Sequence, residues 1–208
     1  FSVRGSAFRH VGVVLDGAEA PALLHAVRGA DDTGSVAMIN TDVLNRATLL
    51  SGAHPRRYGD WLGATLEFDV REGSRDRVAV RGAVSGTSAS SVVEGPLGRG
   101  GRGSWLVSVR KSYIDWLIRR LEPDIDSTIG FADGLAKFVY DLGAGQQIQV
   151  LVAGGDAVYR ERDTAQANGI LRATSGSTLA SATWRLTRSR SWVLQRVTFF
   201  GDDFRNVG

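Results

Sequence analysis

MINTDVLNRATLLSGAHPRRYGDWLGATLEFD, residues 38–69, is the stretch around which the rest of the chain is read. Asn40 or Thr41 can cap a short helical turn, and Val43 and Leu44 give that turn apolar surface to bury. Ala47 to Leu50 is a brief apolar strand that Ser51 and Gly52 end. Residues 53–63 hold too much Gly, Pro and Arg for a regular element. Thr65 to Val70 alternates, with Leu66, Phe68 and Val70 on one face and Thr65, Glu67 and Asp69 on the other. Helix, strand, turn and strand together make a compact α+β unit with polar turns.

Upstream, Val11 to Leu15 has the composition of a buried strand, closed by the turn signal Asp16-Gly17. Pro21 suits the first turn of a short helix carrying Leu23, Leu24 and Val27 and ending near Gly29. Asp31 to Ser35 reads as a loop. Its D-D-T-G-S order lacks the spaced acidic ligands of a calcium loop.

Downstream of Arg71–Arg77, a charged junction, the pattern changes to period-two alternation. Val78, Val80, Gly82 and Val84 fall on one face, opposite Arg77, Ala79, Arg81, Ala83 and Ser85. A tight turn is expected near Gly86 to Ser88. Trp105, Val107 and Val109 then oppose Leu106, Ser108, Arg110 and Ser112. Ala136, Phe138, Tyr140 and Leu142 oppose Lys137, Val139 and Asp141, and Ile148, Val150 and Val152 oppose Gln147, Gln149, Leu151 and Ala153. Thr178, Ala180, Ala182, Trp184 and Leu186 oppose Ser177, Leu179, Ser181, Thr183 and Arg185. Trp192 to Phe200 is a last strand whose facing Gln195 and Arg196 leave open.

These are about seven strands, many near the ~9–11 residues that a tilted membrane strand needs. Apolar faces with aromatics near strand ends, set against polar faces, fit an outer-membrane barrel; the same alternation fits a soluble antiparallel sheet with one face in a core. The connections separate the two. Gly95–Gly103, Gly143–Gln146 and Thr187–Arg190 are short, whereas Ile114–Gly130 and Ala157–Gly176 are long links. Such alternation of short turns and long loops belongs to a barrel. The first long link holds an amphipathic helix with Ile114, Leu117, Ile118 and Leu121 on one face, Ser112 and Asp115 at its start and Pro123 at its stop.

Composition excludes several classes. There is no Cys among the 208 residues, hence no disulfide and no thiolate metal site. The net charge of +3 comes from arginines scattered among Asp and Glu, which favours a solvated or lumen-facing role over nucleic-acid binding. No run of about 18 apolar residues is present to form a transmembrane helix. His10, His25 and His54 show no metal-ligand spacing, no G-x-S-x-G elbow exists, and no carboxylate pair stands out as an acid/base dyad. The run Gly95 to Gly103 lacks the Lys-Ser/Thr ending of a phosphate loop. No catalytic residue, cofactor or metal site is expected.

The order of motifs resembles the plug domain of TonB-dependent outer-membrane receptors. Val3-Arg4-Gly5 stands where the family carries I-R-G, and Val13-Val14-Leu15-Asp16-Gly17 where it carries a strand ending in D-G. Arg46, Gly52, Tyr58-Gly59 and Gly63 match further on. The departures are Asn45 and Thr48 at usually acidic places, the spread Gly52-Ala53-His54-Pro55, and Ala64 for a second Gly. The resemblance implies a mostly β fold, with a small α+β plug segment (1–71) followed by antiparallel strands of an incomplete transmembrane β-barrel (72–208). It implies energy-coupled uptake of a scarce ligand of the siderophore, cobalamin, saccharide or peptide class, with the plug gating the barrel. The implied partners are the periplasmic TonB protein, outer-membrane lipid and a small ligand, and the implied location is the bacterial outer membrane. Arg4, Gly5, Asp16, Gly17, Gly52, Tyr58, Gly59 and Gly63 would carry plug structure. Arg28, His54, Arg56 and Arg57, near the plug apices, are the candidate ligand contacts. With no leader at Phe1 and too few strands to close a family barrel, the chain is expected to be a fragment that does not transport by itself. A soluble all-β ligand-binding module, for example for carbohydrate, is the alternative from another class.

Overall fold

In the computed structural model, residues 2–3, 5–7, 10–21, 23–27, 31–51, 61, 63–122, 127–161 and 170–207 are described. Two small hairpins and two larger sheets make up the architecture. The N-terminal lobe begins with β1 (Ser2–Val3) paired to β2 (Ser6–Ala7). Its four-stranded sheet runs β4 (Ala18–Glu19), β3 (Val11–Leu15), β8 (Ala64–Val70), β7 (Leu44–Leu50). Strand β3 is parallel to β8 and antiparallel to β4. It is buried along its whole length, as the run VGVVL requires. A single 3-10 turn, Thr41–Val43, precedes β7, and the Asn40 side chain caps it by accepting from the Asp42 amide.

The helix expected after Pro21 is not formed. Leu24–Val27 is instead a strand, β5, paired antiparallel with β6 (Asp31–Ala37), so the stretch read as a loop is a strand as well. The reason lies in which side chains find a burial site. Leu23 and His25, two apart, are both fully buried, which is a strand period and not the 3.6-residue period that Leu23, Leu24 and Val27 suggested.

From β9 onward the chain forms one seven-stranded antiparallel meander in sequence order. Its strands are β9 (Ala79–Val84), β10 (Ser88–Leu97), β11 (Gly103–Ser112), β12 (Ser127–Gly143), β13 (Gln146–Glu161), β14 (Arg172–Arg188) and β15 (Ser191–Val207). Strands β10 and β11 have 10 residues each, but β12, β14 and β15 have 17, and β13 and β14 extend the ladder into both ends of the expected link, over 157–161 and 172–176. Tight turns at Gly98–Arg102, Ala144–Gly145 and Ser189–Arg190 mark one end. The turn expected near Gly86 to Ser88 lies at the other, over Ser85–Thr87, closed by the Ser85 amide to the Ser88 carbonyl at 2.9 Å. That second end also carries helix α1 (Ile114–Leu121), started by the Ser112 hydroxyl accepting from the Ile114 amide. Asp115 turns to Arg119 instead of closing a capping box.

The two faces of this wall differ as the alternation predicts. Val80, Val109, Val152, Val197 and Phe199 on the outward face are exposed, whereas Val92, Leu106, Leu135, Leu151 and Leu179 on the inward face are buried with Val13, Leu15, Leu23, Met38, Val43 and Phe68 of the lobe. A soluble two-layer sandwich would cover the outward face. The ladder also settles β15: Gln195 pairs with Trp184 and Val197 with Ala182, facing out, while Arg196 opposes Thr183 and Phe200 opposes Leu179, facing in. Phe200 packs on the core accordingly.

Candidate site at the interface of lobe and wall

The strand register lays the inward side chains out in rows across the wall. Val92, Ser108, Leu135, Ala153, Leu179 and Phe200 form a belt that is apolar apart from Ser108. On one side of it runs Ser90, Arg110, Asp133, Gly155, Ser177 and Asp202, and on the other Glu94, Leu106, Lys137, Leu151, Ser181 and Thr198. The belt holds the lobe by burial; the flanking rows hold it by directional polar contacts.

Below the belt, the lobe turn Asp16-Gly17 docks on the wall. Asp16 sits at φ 50° and Gly17 at φ 75°, the left-handed geometry that aims the Asp16 carboxylate outward from β3. Oδ2 of Asp16 meets Lys137 Nζ at 2.8 Å and accepts from Gln149 Nε2 at 2.9 Å, while Oδ1 accepts from the Val70 amide at 2.8 Å. Lys137 Nζ also donates to the Val70 carbonyl at 2.5 Å. Arg196 donates to the Gly17 carbonyl, so β15 reaches the same turn.

Along the same side, the junction after β8 crosses the wall. Arg71 pairs with Glu94, which Arg81 contacts from its other oxygen at 3.1 Å. Glu94 is buried, and two guanidiniums neutralise it. Arg75 pairs with Asp141 and with Glu72, and these carboxylates, Asp141 foremost, hold the guanidinium above its ordinary pKa.

Above the belt, β5 packs against β13 and β14 and inserts His25. His25 Nε2 lies 3.0 Å from Asp133 Oδ2, which Arg110 also binds through Nε at 2.9 Å and Nη2 at 2.7 Å. Phe131 closes the group, stacked on His25 at 4.4 Å between centroids and under the Arg110 guanidinium at 5.0 Å. Among the described residues His25 Nδ1, which is buried, has no hydrogen-bond partner. Asn40 donates to Ser108 at 3.1 Å, and the Ser177 hydroxyl meets the Met38 sulfur at 3.0 Å.

Of the residues named from sequence, Gly5 turns β1 into β2 at φ 78°, Asp16 and Gly17 form the docking turn, and the Gly63 amide donates to the His10 carbonyl at 3.0 Å. Arg4, Arg28, Gly52, His54, Arg56, Arg57, Tyr58 and Gly59 lie outside the described residues. Sequence reasoning passed over His25, Arg110 and Asp133. The last two stand on the polar faces of their strands, and that was the available signal. Among the described residues no group of His, Asp and Glu is arranged to hold a metal ion. The chemistry on view is recognition across an interface, with charges buried in pairs.

No family model and no curated protein matches the chain by sequence. Solved structures do match by shape. The ferric enterobactin receptor PfeA of Pseudomonas aeruginosa aligns with TM-score 0.72 at 13% identity over 100% of this chain and 35% of its own. The siderophore receptor PirA of Acinetobacter baumannii gives 0.70 at 13% identity over 99% of this chain and 33% of that one. The pyoverdine outer membrane receptor FpvA of P. aeruginosa gives 0.61 at 15% identity over 97% and 31%. The chain thus spans about a third of the length of the structures it matches. These neighbours are receptors, not enzymes. With its inward rows clasping the lobe, the chain has the fold of part of a plug and an open stretch of barrel wall, as in the TonB-dependent outer-membrane receptors that its sequence resembles.

Proposed function

We propose that the chain is the gating part of an outer-membrane uptake receptor, with residues 1–71 the C-terminal portion of the plug and 72–208 the first seven strands of the barrel. Its ligand is of the ferric siderophore class, the class bound by the receptors it resembles in shape. The periplasmic TonB protein would supply the pull that frees the plug, and Arg28, His54, Arg56 and Arg57 are the candidate ligand contacts.

One observation carries the reading: the lobe is held to the wall by discrete buried polar pairs flanking an apolar belt. Such pairs have one good geometry and lose most of their value when shifted, so the interface has a docked state and a released state and little between. A purely apolar contact would slide.

The test is a disulfide cross-link between lobe and wall, two parts that contribute no Cys of their own. Asn40 and Ser108, in hydrogen-bond contact across lobe and wall, are replaced by Cys in the full-length receptor and cross-linked. Ferric siderophore binding should survive and uptake should stop, with recovery on reduction. Uptake undiminished by a complete cross-link overturns lobe displacement as the gate.

A further inference from the structure

At the tight-turn end of the wall, the β12–β13 turn and the last residues of β14 enclose a polar pocket. It has a volume of about 350 Å³, and its lining includes Asp141, Gly143, Gly145, Gln147, Arg185 and Thr187. That volume lies at the lower end for small-ligand sites, about 300–1,000 Å³. Asp141, Gln147 and Arg185 share one inward row of the ladder, and Thr187 follows Arg185 on the same side. The pocket therefore opens inside the wall, away from the face that bilayer lipid would meet.

Its polar groups are unevenly committed. Asp141 already pairs with Arg75, and its Oδ1 accepts from Gln147 Nε2 at 2.8 Å. The one acidic group of the lining is thus neutralised from within the protein. Gln147 keeps its amide oxygen as an acceptor, and Thr187 has a hydroxyl that can donate or accept. Arg185 is exposed, and among the described residues its guanidinium meets no carboxylate. Arg188 and Arg190, at the adjacent turn, are exposed as well.

The turn contributes bare backbone to the pocket. Gly143, Ala144 and Gly145 stand at φ 95°, 53° and 76°. A Cβ on Gly145 would fall 2.2 Å from the Thr187 carbonyl, so the turn approaches β14 this closely only with glycine there.

We propose that this pocket binds the free α-carboxylate of a peptide chain end. Arg185 grips the two carboxylate oxygens as a fork. Thr187 and the Gln147 amide oxygen pair with the last peptide group, and the glycine turn leaves room for a small side chain. Capture of a terminal carboxylate by a cation beside bare backbone is a recurrent mode of peptide recognition. Arg188 and Arg190 add a positive field that draws anions to this rim. A small inorganic anion has no use for the amide-matching groups. Under the outer-membrane reading above, on which the location alone rests, this end faces the periplasm. Chain ends there come from D-alanine-ended cell-wall peptides or from protein C-termini, and both present the same carboxylate.

The test is isothermal titration calorimetry of the full-length receptor in mild detergent. The probes are acetyl-D-Ala-D-Ala and acetyl-L-Ala-L-Ala, each as the free acid and as the C-terminal amide. At least one acid should bind, with its amide at least about tenfold weaker, and the preferred isomer identifies the source. R185Q should lose at least about tenfold in affinity for the acid, with R185K between it and wild type. Heat-modifiable migration on gels confirms that each variant is folded. Acid and amide binding alike, R185Q binding as wild type does, no binding of either acid at millimolar concentration, or displacement by equimolar acetate would each overturn the proposal. Labelling of an R188C variant from outside intact cells by a membrane-impermeant thiol reagent instead sinks the periplasmic placement, and the outer-membrane reading with it, while the carboxylate measurement stands by itself.

Discussion

Lys137 of the wall and Asp16 of the lobe form a buried ion pair, 2.8 Å between Nζ and Oδ2, at a lobe turn whose backbone is held in the left-handed region. Both side chains are almost entirely excluded from solvent, and each has second partners: Val70 for both, and Gln149 for the aspartate. A pair of this kind contributes little against an apolar substitute but is costly to halve. Lys137→Ala should therefore weaken docking of the lobe by about 3–5 kcal/mol, because it strands the Asp16 carboxylate. Lys137→Met combined with Asp16→Asn should cost clearly less than the sum of the singles. Limited proteolysis of the lobe under increasing urea reports the difference, and additive losses would show that the two groups do not act as a unit.

Trp61 packs directly on Gly12. A Cβ on Gly12 would come within 2.5 Å of the indole ring, which lies over the β3 backbone. Gly12→Ala should destabilise the lobe by about 1–3 kcal/mol through overpacking, and Trp61→Leu in the same chain should recover part of the loss. The check is the urea midpoint of the single and double variants.

His25, Arg110 and Asp133 predict a different kind of failure. Asp133→Asn leaves the Arg110 guanidinium buried opposite a neutral amide and removes the carboxylate that His25 contacts. Hydrogen exchange should accelerate across β5 and β6 while the β12–β15 ladder stays protected, because the change loosens the lobe and not the wall. Arg110→Met with Asp133→Leu should restore much of the protection. Uniform acceleration over both parts would argue against an interface role.

The outward face makes a further prediction. Val152 is exposed on that face. Val152→Arg should cost about 2–4 kcal/mol in lipid and reduce the assembled, heat-modifiable fraction in outer membranes, whereas Val152→Leu should be neutral. Equal assembly of the arginine variant would mean that this face does not meet hydrocarbon.

Much of this was legible in the residues alone. Within the segments read as strands between Ala79 and Leu186, period-two alternation placed the side chains on their observed faces, because a strand has no freedom to do otherwise once one face is apolar; the ladder inside the expected links was not legible this way. The turns at Asp16-Gly17 and near Gly86 to Ser88 followed from local chemistry that needs no tertiary partner. The family resemblance likewise rested on short backbone-determined motifs.

Three features needed the folded molecule. Leu23 to Val27 could be helix or strand by itself, and it became β5 because the wall offers an apolar belt for Leu23 and Asp133 for His25 two residues on. The facing of β15 was undecided because Gln195 and Arg196 are both polar; only pairing with Trp184 and Thr183 orders them. The pairing of Lys137 with Asp16 depends on strand register, which sets which inward residues share a row and is invisible to any one strand. Alternation is a property of a single segment, whereas partner choice belongs to two segments brought together by burial.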